Sequence, residues 1–317
     1  MGNLPAARVL PLKPFTSCGI DYAGPFLTKD SILRNRKIIK TYICIFVCFS
    51  TKAVHLELVT SLSVDAFLCA LKRFVGRRGV CRNIYSDNAT NFVGAKNRLL
   101  HEFEILVKTN MAQEYFLENR IIWHFIPPRS PHMGGLWESV VKLTKYHLSR
   151  VLKKYLVNIQ FNTLLIQIES ILNSRPLIPL TDDPEDYAAL TPGHFLIGGS
   201  LQAIPETPPK ENFSLRSNYH HVQLLAQHFW KRWSGDYLHT LQQRSKWQLG
   251  SKSISLEGAL VLLKEDNLPP MLWKMGRITR LFPGNDSVVR VVEIKTSGGI
   301  FKRAVNKVCI LPVESAL

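Results

Sequence analysis

Apolar residues fall in strand-length blocks over the first part of the chain, at helical spacing through its middle, and in short blocks again after residue 258. Residues 1–14, with three prolines, read as an extended lead-in. Phe15 to Tyr22 is predicted as the first strand. Lys37 to Phe49, rich in Ile, Val, Phe and Tyr, suits a strand buried on both faces, and Ala53 to Val59 suits its hairpin partner across the turn Ser50-Thr51-Lys52. Ser63 caps a predicted helix whose apolar face is Val64, Phe67, Leu71, Phe74 and Val75, and Gly76 and Gly79 end it. A strand Arg82 to Ser86 and a helix Phe92 to Leu106 follow, then a further helical stretch near Met111 to Arg120. From Ile121 come a short strand, a loop rich in Pro and Gly, and a helix from near Gly135 to Leu152. A last helix, Phe161 to Asn173, stops at Ser174-Arg175-Pro176. Strands and helices in the order β-β-β-α-β-α-β-α predict an α/β core with a mixed five-stranded sheet over residues 15–200.

After residue 200 the pattern changes. Residues 201–217, rich in Pro, Glu and Ser, read as a linker, and His221 to Trp247 as a long helix carrying Phe229, Trp230, Trp233 and Tyr237. Aromatics at helical spacing are more often packing than base-stacking, so residues 201–249 are read as linker, spacer and oligomer contact. Five short apolar runs complete the chain: Ala259 to Lys264, Trp273 to Phe282, Ser287 to Thr296, Ile300 to Val305 and Val308 to Leu311. With the turn Pro283-Gly284-Asn285-Asp286 they predict a small β-barrel over 250–317, in which basic residues outnumber acidic ones.

Three acids stand out from this frame. Asp21 and Asp87 each sit at or just past the end of a predicted strand, followed by the turn-formers Ala23-Gly24-Pro25 in one case and Asn88 in the other. Glu138 lies in the first turn of the helix after residue 135. At about 100° per residue, Glu138, Lys142, Lys145 and Ser149 share one side of that helix, and Leu136, Val140, Leu143, His147 and Val151 the other. A lone Glu there would be an ordinary solvated ion pair. With two more acids in matching contexts, three carboxylates suit a pair of hard divalent cations, Mg²⁺ or Mn²⁺, of the kind that serve in-line phosphoryl displacement.

Charge points the same way. Forty Lys and Arg against 24 Asp and Glu give a formal charge of +16, which suits a polyanionic partner. From Ser139 to Ile168 there is no acid, while Lys142, Lys145, Arg150, Lys153 and Lys154 accumulate, a stripe on which a phosphate backbone can lie. Asn88 and Asn91 either orient the neighbouring carboxylate and meet substrate phosphate or form a simple Asx turn. His124, in a strand, reads as structural; His132, in the Pro131-His132-Met133-Gly134-Gly135 loop, is a candidate DNA contact, with Gly134 and Gly135 as hinges. The six cysteines show no zinc-type spacing and read as buried thiols in a reducing compartment. With no secretory signal at its start and no apolar run long enough to span a bilayer, the chain is expected to be soluble and intracellular, with no membrane partner.

The segments GIDYAGPF, YSDNATNF and PPRSPHMGGLWES, with Asp21, Asp87 and Glu138 in that order, resemble the catalytic core of retroelement integrases, most closely those of BEL/Pao retrotransposons. Only the second interval departs from the retroviral pattern, being longer by about the Met111 to Arg120 stretch. The resemblance implies a ribonuclease-H-like core, an SH3-like barrel at the C-terminus, and a two-metal polynucleotidyl transferase. Such an enzyme trims the 3′ ends of the element's DNA and joins them to target DNA, acting as a homo-oligomer on chromosomal DNA in the nucleus. It implies Asp21, Asp87 and Glu138 as metal ligands and Lys142 and Lys145 as contacts to the element's DNA end. Integrases of this kind also carry an N-terminal zinc-binding domain, so the chain is expected to be a piece of a longer polyprotein. The competing expectations are a catalytically retired or domesticated DNA-binding protein derived from an integrase fragment, and a related nuclease that cuts without joining.

Overall fold

The first long strand, β1 (Ser17–Lys29), runs on well past the end predicted for it. Asp21 therefore lies inside β1, and Ala23-Gly24-Pro25 is not a turn but an irregularity in the pairing, where the register shifts between Ala23 and Phe26. Pro25 has no N–H for the ladder and Gly24 takes φ +140°, so the strand bulges and resumes instead of reversing. β2 (Ile38–Cys48) and β3 (Val54–Val59) follow antiparallel, with Ile43 to Cys48 all buried, as expected of a strand covered on both faces. The computed structural model describes residues 6–31, 37–108, 120–127, 135–152, 156–205, 218–242, 257–265, 267–286 and 288–312. The predicted Met111 to Arg120 helix and His132 therefore fall wholly or almost wholly outside the described residues, and the lead-in includes one helical turn, α1 (Ala6–Val9).

α2 (Val64–Arg78) begins where Ser63 accepts a 3.2 Å hydrogen bond from the Ala66 N–H. It ends at Gly79, whose φ of 87° opens the left-handed exit; Gly76, also expected to end it, sits inside the last turn. Then come β4 (Asn83–Ser86), α3 (Thr90–Lys108), β5 (Ile122–Phe125), α4 (Gly135–Val151) and α5 (Asn158–Asn173). The sheet order is β3-β2-β1-β4-β5, with β1–β4 and β4–β5 parallel, so the five-stranded mixed sheet and its helices are as the pattern predicts.

Buried charge ties this sheet to its helices. On β3, His55 is enclosed between Glu57 (Nε2–Oε1 3.0 Å) and Glu169 of α5 (Nδ1–Oε2 3.3 Å). Arg73 and Arg77 of α2 close on Glu57 at 2.5 and 3.1 Å, Arg78 pairs with Glu169, and the Leu56 N–H donates to Glu169 at 2.8 Å. Burial alone pulls the His55 pKa down; hydrogen bonds and charge from Glu169 and Glu57 outweigh it and leave the imidazole raised. Burial pushes Glu57 and Glu169 up, but His55 and Arg73 bring Glu57, and His55, the Leu56 amide and Arg78 bring Glu169, below the usual carboxylate range.

The chain divides into two units, Met1–Leu172 with Pro209–Leu225 and Asn173–Pro208 with Ala226–Leu317. The second contains the short hairpin β6 (Ile178–Pro179) and β7 (Ala189–Leu190), α6 (Pro192–Ile197), most of α7 (Asn218–Leu241), and strands β8 (Leu260–Leu263), β9 (Met275–Pro283), β10 (Val289–Thr296), β11 (Gly299–Ala304) and β12 (Val308–Ile310). The five form one antiparallel sheet, β11-β10-β9-β8-β12, consistent with a small barrel-like domain. β8 is buried on both sides because its alternate residues serve two cores: Leu260 and Leu262 pack with Leu238, Cys309 and Leu311, and Val261 and Leu263 with Ile278, Val292 and Ile294. Phe229, Trp230 and Trp233 are buried, and Trp230, Trp233 and Tyr237 meet Trp273 edge-on at 4.7 to 6.1 Å, so these aromatics pack as their spacing suggested. Arg277, 9 % exposed, donates to the carbonyls of Asp186, Gly258 and Thr181 at 3.0 to 3.1 Å. Among the described residues no helix is long and apolar enough to cross a membrane. Five of the six cysteines are buried as expected; Cys69 is exposed, since α2 turns it away from the Phe67, Leu71, Phe74 face.

Candidate active site

Strand register brings the first two acids together. β1 and β4 run parallel, about 4.8 Å apart, with Gly19 opposite Tyr85 as the last pair of their ladder, so Asp21 within β1 and Asp87 just past the end of β4 each lie two residues beyond it. β4 ends at Ser86 while β1 continues, which leaves Asp21 open on the side where Asp87 emerges. Each aspartate has one carboxylate oxygen held by backbone: Asp21 Oδ1 accepts from the Tyr22 N–H at 2.6 Å, and Asp87 Oδ1 from the Ala89 N–H at 3.2 Å. The second oxygens are left for other partners.

The third acid arrives on α4, which packs on β1. Its buried stripe is Trp137, Val141, Thr144, Leu148 and Val151, with His147 beside it; Leu143, expected on the core side, is 38 % exposed. The face is rotated from the predicted one because Trp137, not Leu143, fills the space over the sheet. A Cβ built on Gly19 would stand 2.3 Å from Cε3 of the Trp137 ring, so the indole lies directly on the bare backbone of β1. Glu138 follows Trp137 by about 100° and so sits at the rim of the helix–sheet contact, half-buried.

The electrostatics register this convergence. Burial raises the Asp21 pKa, the Tyr22 N–H lowers it, the charges of Asp87 and Glu138 raise it, and Lys145 lowers it, leaving it at about 6. Asp21 thus feels both other acids and the lysine seven residues after Glu138. These carboxylates are hard oxygen donors of the type that Mg²⁺ and Mn²⁺ take. Among the described residues no group of three or more His, Cys, Asp or Glu side chains is set to hold a metal ion.

The other predicted contacts are spread around this point. Lys142, Lys145 and Arg150 are exposed on α4; the Arg150 guanidinium lies 3.4 Å from the Tyr146 ring centre. Asn88 is exposed and donates to the Ile126 carbonyl at 2.8 Å, tying the exits of β4 and β5. Asn91 is buried beside the Tyr22 hydroxyl, whose ring stacks on Phe92 at 5.2 Å. His124 stacks on Tyr85 at 4.5 Å with Nε2 3.0 Å from Asn83 Oδ1, a structural placement. Gly19 and Trp137 were given no role by the sequence reading, although a glycine inside a strand marks a close approach.

A family model described as a family of unknown function (DUF5641) matches residues 217–311, which leaves the three acids outside it. No curated protein matches. Among solved structures, the chain is similar to one from the cryo-EM structure of a simian T-cell lymphotropic virus intasome in complex with the PP2A regulatory subunit B56 gamma. The TM-score is 0.38 and the identity 12 %, over 96 % of this chain and 81 % of that one. No shared fold follows from a score at that level.

Proposed function

We propose that the chain is a retroelement integrase of the BEL/Pao type, with a ribonuclease-H-like catalytic core and an SH3-like C-terminal domain, that trims and joins DNA ends. The observation that carries this reading is the parallel register of β1 and β4, by which Asp21 and Asp87 each lie two residues beyond the same pair, with Glu138 on the helix packed against β1, in the motifs that the resemblance names. The basic face of α4 and the charge of +16 support a DNA partner.

In this reading the three carboxylates would hold two Mg²⁺ or Mn²⁺ ions. Such ions supply charge neutralisation and Lewis acidity to the attacking and leaving oxygens of a phosphodiester. The backbone N–H groups of Tyr22 and Ala89 fix one oxygen of each aspartate and so aim the other. Burial and the charges of Asp87 and Glu138 raise the Asp21 pKa to about 6, so a bound cation would favour its ionised form. Lys142 and Lys145, both exposed on α4, would meet phosphates of the element's DNA end. In trimming, water oxygen bonds to phosphorus as the bond to the departing 3′ oxygen breaks; in joining, a DNA 3′-hydroxyl takes the place of water. No covalent enzyme intermediate is required.

The test is incubation of purified protein with Mn²⁺ and a labelled duplex bearing the element's terminal sequence, run beside Glu138→Gln. Metal-dependent end trimming or strand joining by the wild type alone is expected. Cleavage without joining would make the chain a nuclease, and binding without either would make it a DNA-binding protein.

A further inference from the structure

We infer that Gly19 and Trp137 are positioning residues for the third carboxylate: the bare backbone at Gly19 seats the indole, and that seat sets where Glu138 stands beside Asp21. The inference rests on the metal-dependent reading above. Three observations carry it.

First, the contact is too close for any other residue at position 19. A Cβ there would lie 2.3, 2.5 and 2.9 Å from Cε3, Cδ2 and Cγ of Trp137. Second, glycine is not needed for its conformation. Gly19 is ordinary strand in register with Val47 and Tyr85, and it is not among the glycines with positive φ. Glycine inside a strand is a net cost, so what the chain gains here is room. Third, the ring cannot slide away. Phe49 stacks on it at 5.7 Å with planes 8° apart, and Tyr85, the neighbour of Gly19 on β4, stacks on Phe49 at 4.7 Å. Trp137 is buried at 3 % exposure. A side chain at position 19 must therefore lift α4 off β1, and Glu138 is the next residue on that helix.

The experiment compares Gly19→Ala, Trp137→Leu and the double variant with the wild type. The readouts are Mn²⁺ affinity, by electron paramagnetic resonance of the free ion, DNA affinity, end cleavage and thermal midpoint. Gly19→Ala is expected to weaken Mn²⁺ binding and cut kcat by about tenfold or more with DNA affinity unchanged. Trp137→Leu removes the seat without a clash and is expected to do the same. The double variant still lacks the indole, so its Mn²⁺ affinity is expected to match that of Trp137→Leu and to fall no further, because both changes act on the same contact; a merely structural role would lower the thermal midpoint of the variants and leave the Mn²⁺ affinity of the folded protein unchanged. Folded variants that bind Mn²⁺ and cleave as the wild type does would overturn the inference. If the wild type binds Mn²⁺ without acting on DNA while both single variants lose that binding, the positioning role stands and the integrase reading falls. A wild type that neither binds Mn²⁺ nor cleaves ends both.

Discussion

At the scale of single residues, the acids were legible and their surroundings were not. Asp21 looked like an acid at the end of a strand, followed by a turn; it lies inside β1, partly buried, with a pKa pushed up to about 6. Local sequence carries no record of which charges a fold brings alongside, and Asp87 and Glu138 come from distant segments. Replacing Asp87 by Asn or Glu138 by Gln should reduce metal-dependent cleavage by on the order of 10² to 10³ or more. Salt-sensitive DNA binding should survive, as a filter-binding titration would show; equal loss of binding in a folded variant would count against the site. His55 supplies a pH prediction at the same scale. Its raised pKa contributes stability that is whole below the unfolded value of about 6.5 and fades as pH rises through the folded pKa. The lowered Glu57 and Glu169 contribute stability that is whole above their unfolded values, about 4.5, and fades as pH falls through their folded values. The cluster is therefore strongest between about pH 4.5 and 6.5. Thermal midpoints measured across pH should fall on both sides of that window, and His55→Gln should flatten the alkaline side.

At the scale of elements, periodicity located the strands and helices of the sheet but misjudged two details. It read Ala23-Gly24-Pro25 as a turn because turn-formers and bulge-formers are the same residues; only the partner strand β2, which continues alongside, tells them apart. It also turned α4 too far, because it set the core side opposite Glu138, Lys142, Lys145 and Ser149 with no knowledge that Gly19 leaves room for an indole at Trp137. The correction moves Glu138 and Lys145 to the rim of the buried stripe and leaves Lys142 further out. Lys142→Ala and Lys145→Ala should each weaken DNA binding and shallow the dependence of log K on log salt by about 0.9 for each phosphate no longer neutralised. Lys145→Ala should in addition weaken the grip on the site's anions, since Lys145 alone among the two lowers the Asp21 pKa. A slope unchanged in both variants would remove this face from the DNA path.

At the scale of the whole molecule, composition pointed to a polyanionic partner and two changes of pattern pointed to more than one folded unit. Which stretches belong to which unit was not legible, because residues 173–208 and 226–317 come together across a wide sequence gap. Arg277 shows most clearly how they are joined. Its guanidinium satisfies three carbonyls, two of them on the 181–186 segment, in a setting with little water. Arg277→Leu should destabilise the second unit by about 3 kcal/mol or more, because the stranded carbonyls lose their donors. Chemical denaturation followed by tryptophan fluorescence would report it, since Trp230, Trp233 and Trp273 lie in that unit; a shift within error would mean that water replaces the donor freely.

What the sequence by itself determined is local: the period-2 and period-3.6 runs, the caps and breakers between them, the excess of positive charge, and three acids in segments that resemble one family. Local order is encoded by neighbours in the chain, so it can be read there. What only the tertiary structure decided is the parallel register by which Asp21 and Asp87 each lie two residues beyond the same pair of β1 and β4, and the close seat of Trp137 on Gly19. Both depend on side chains more than a hundred positions apart or on strands joined through a crossover, and such pairings are settled by packing and backbone hydrogen bonding, not by any pattern along a single segment.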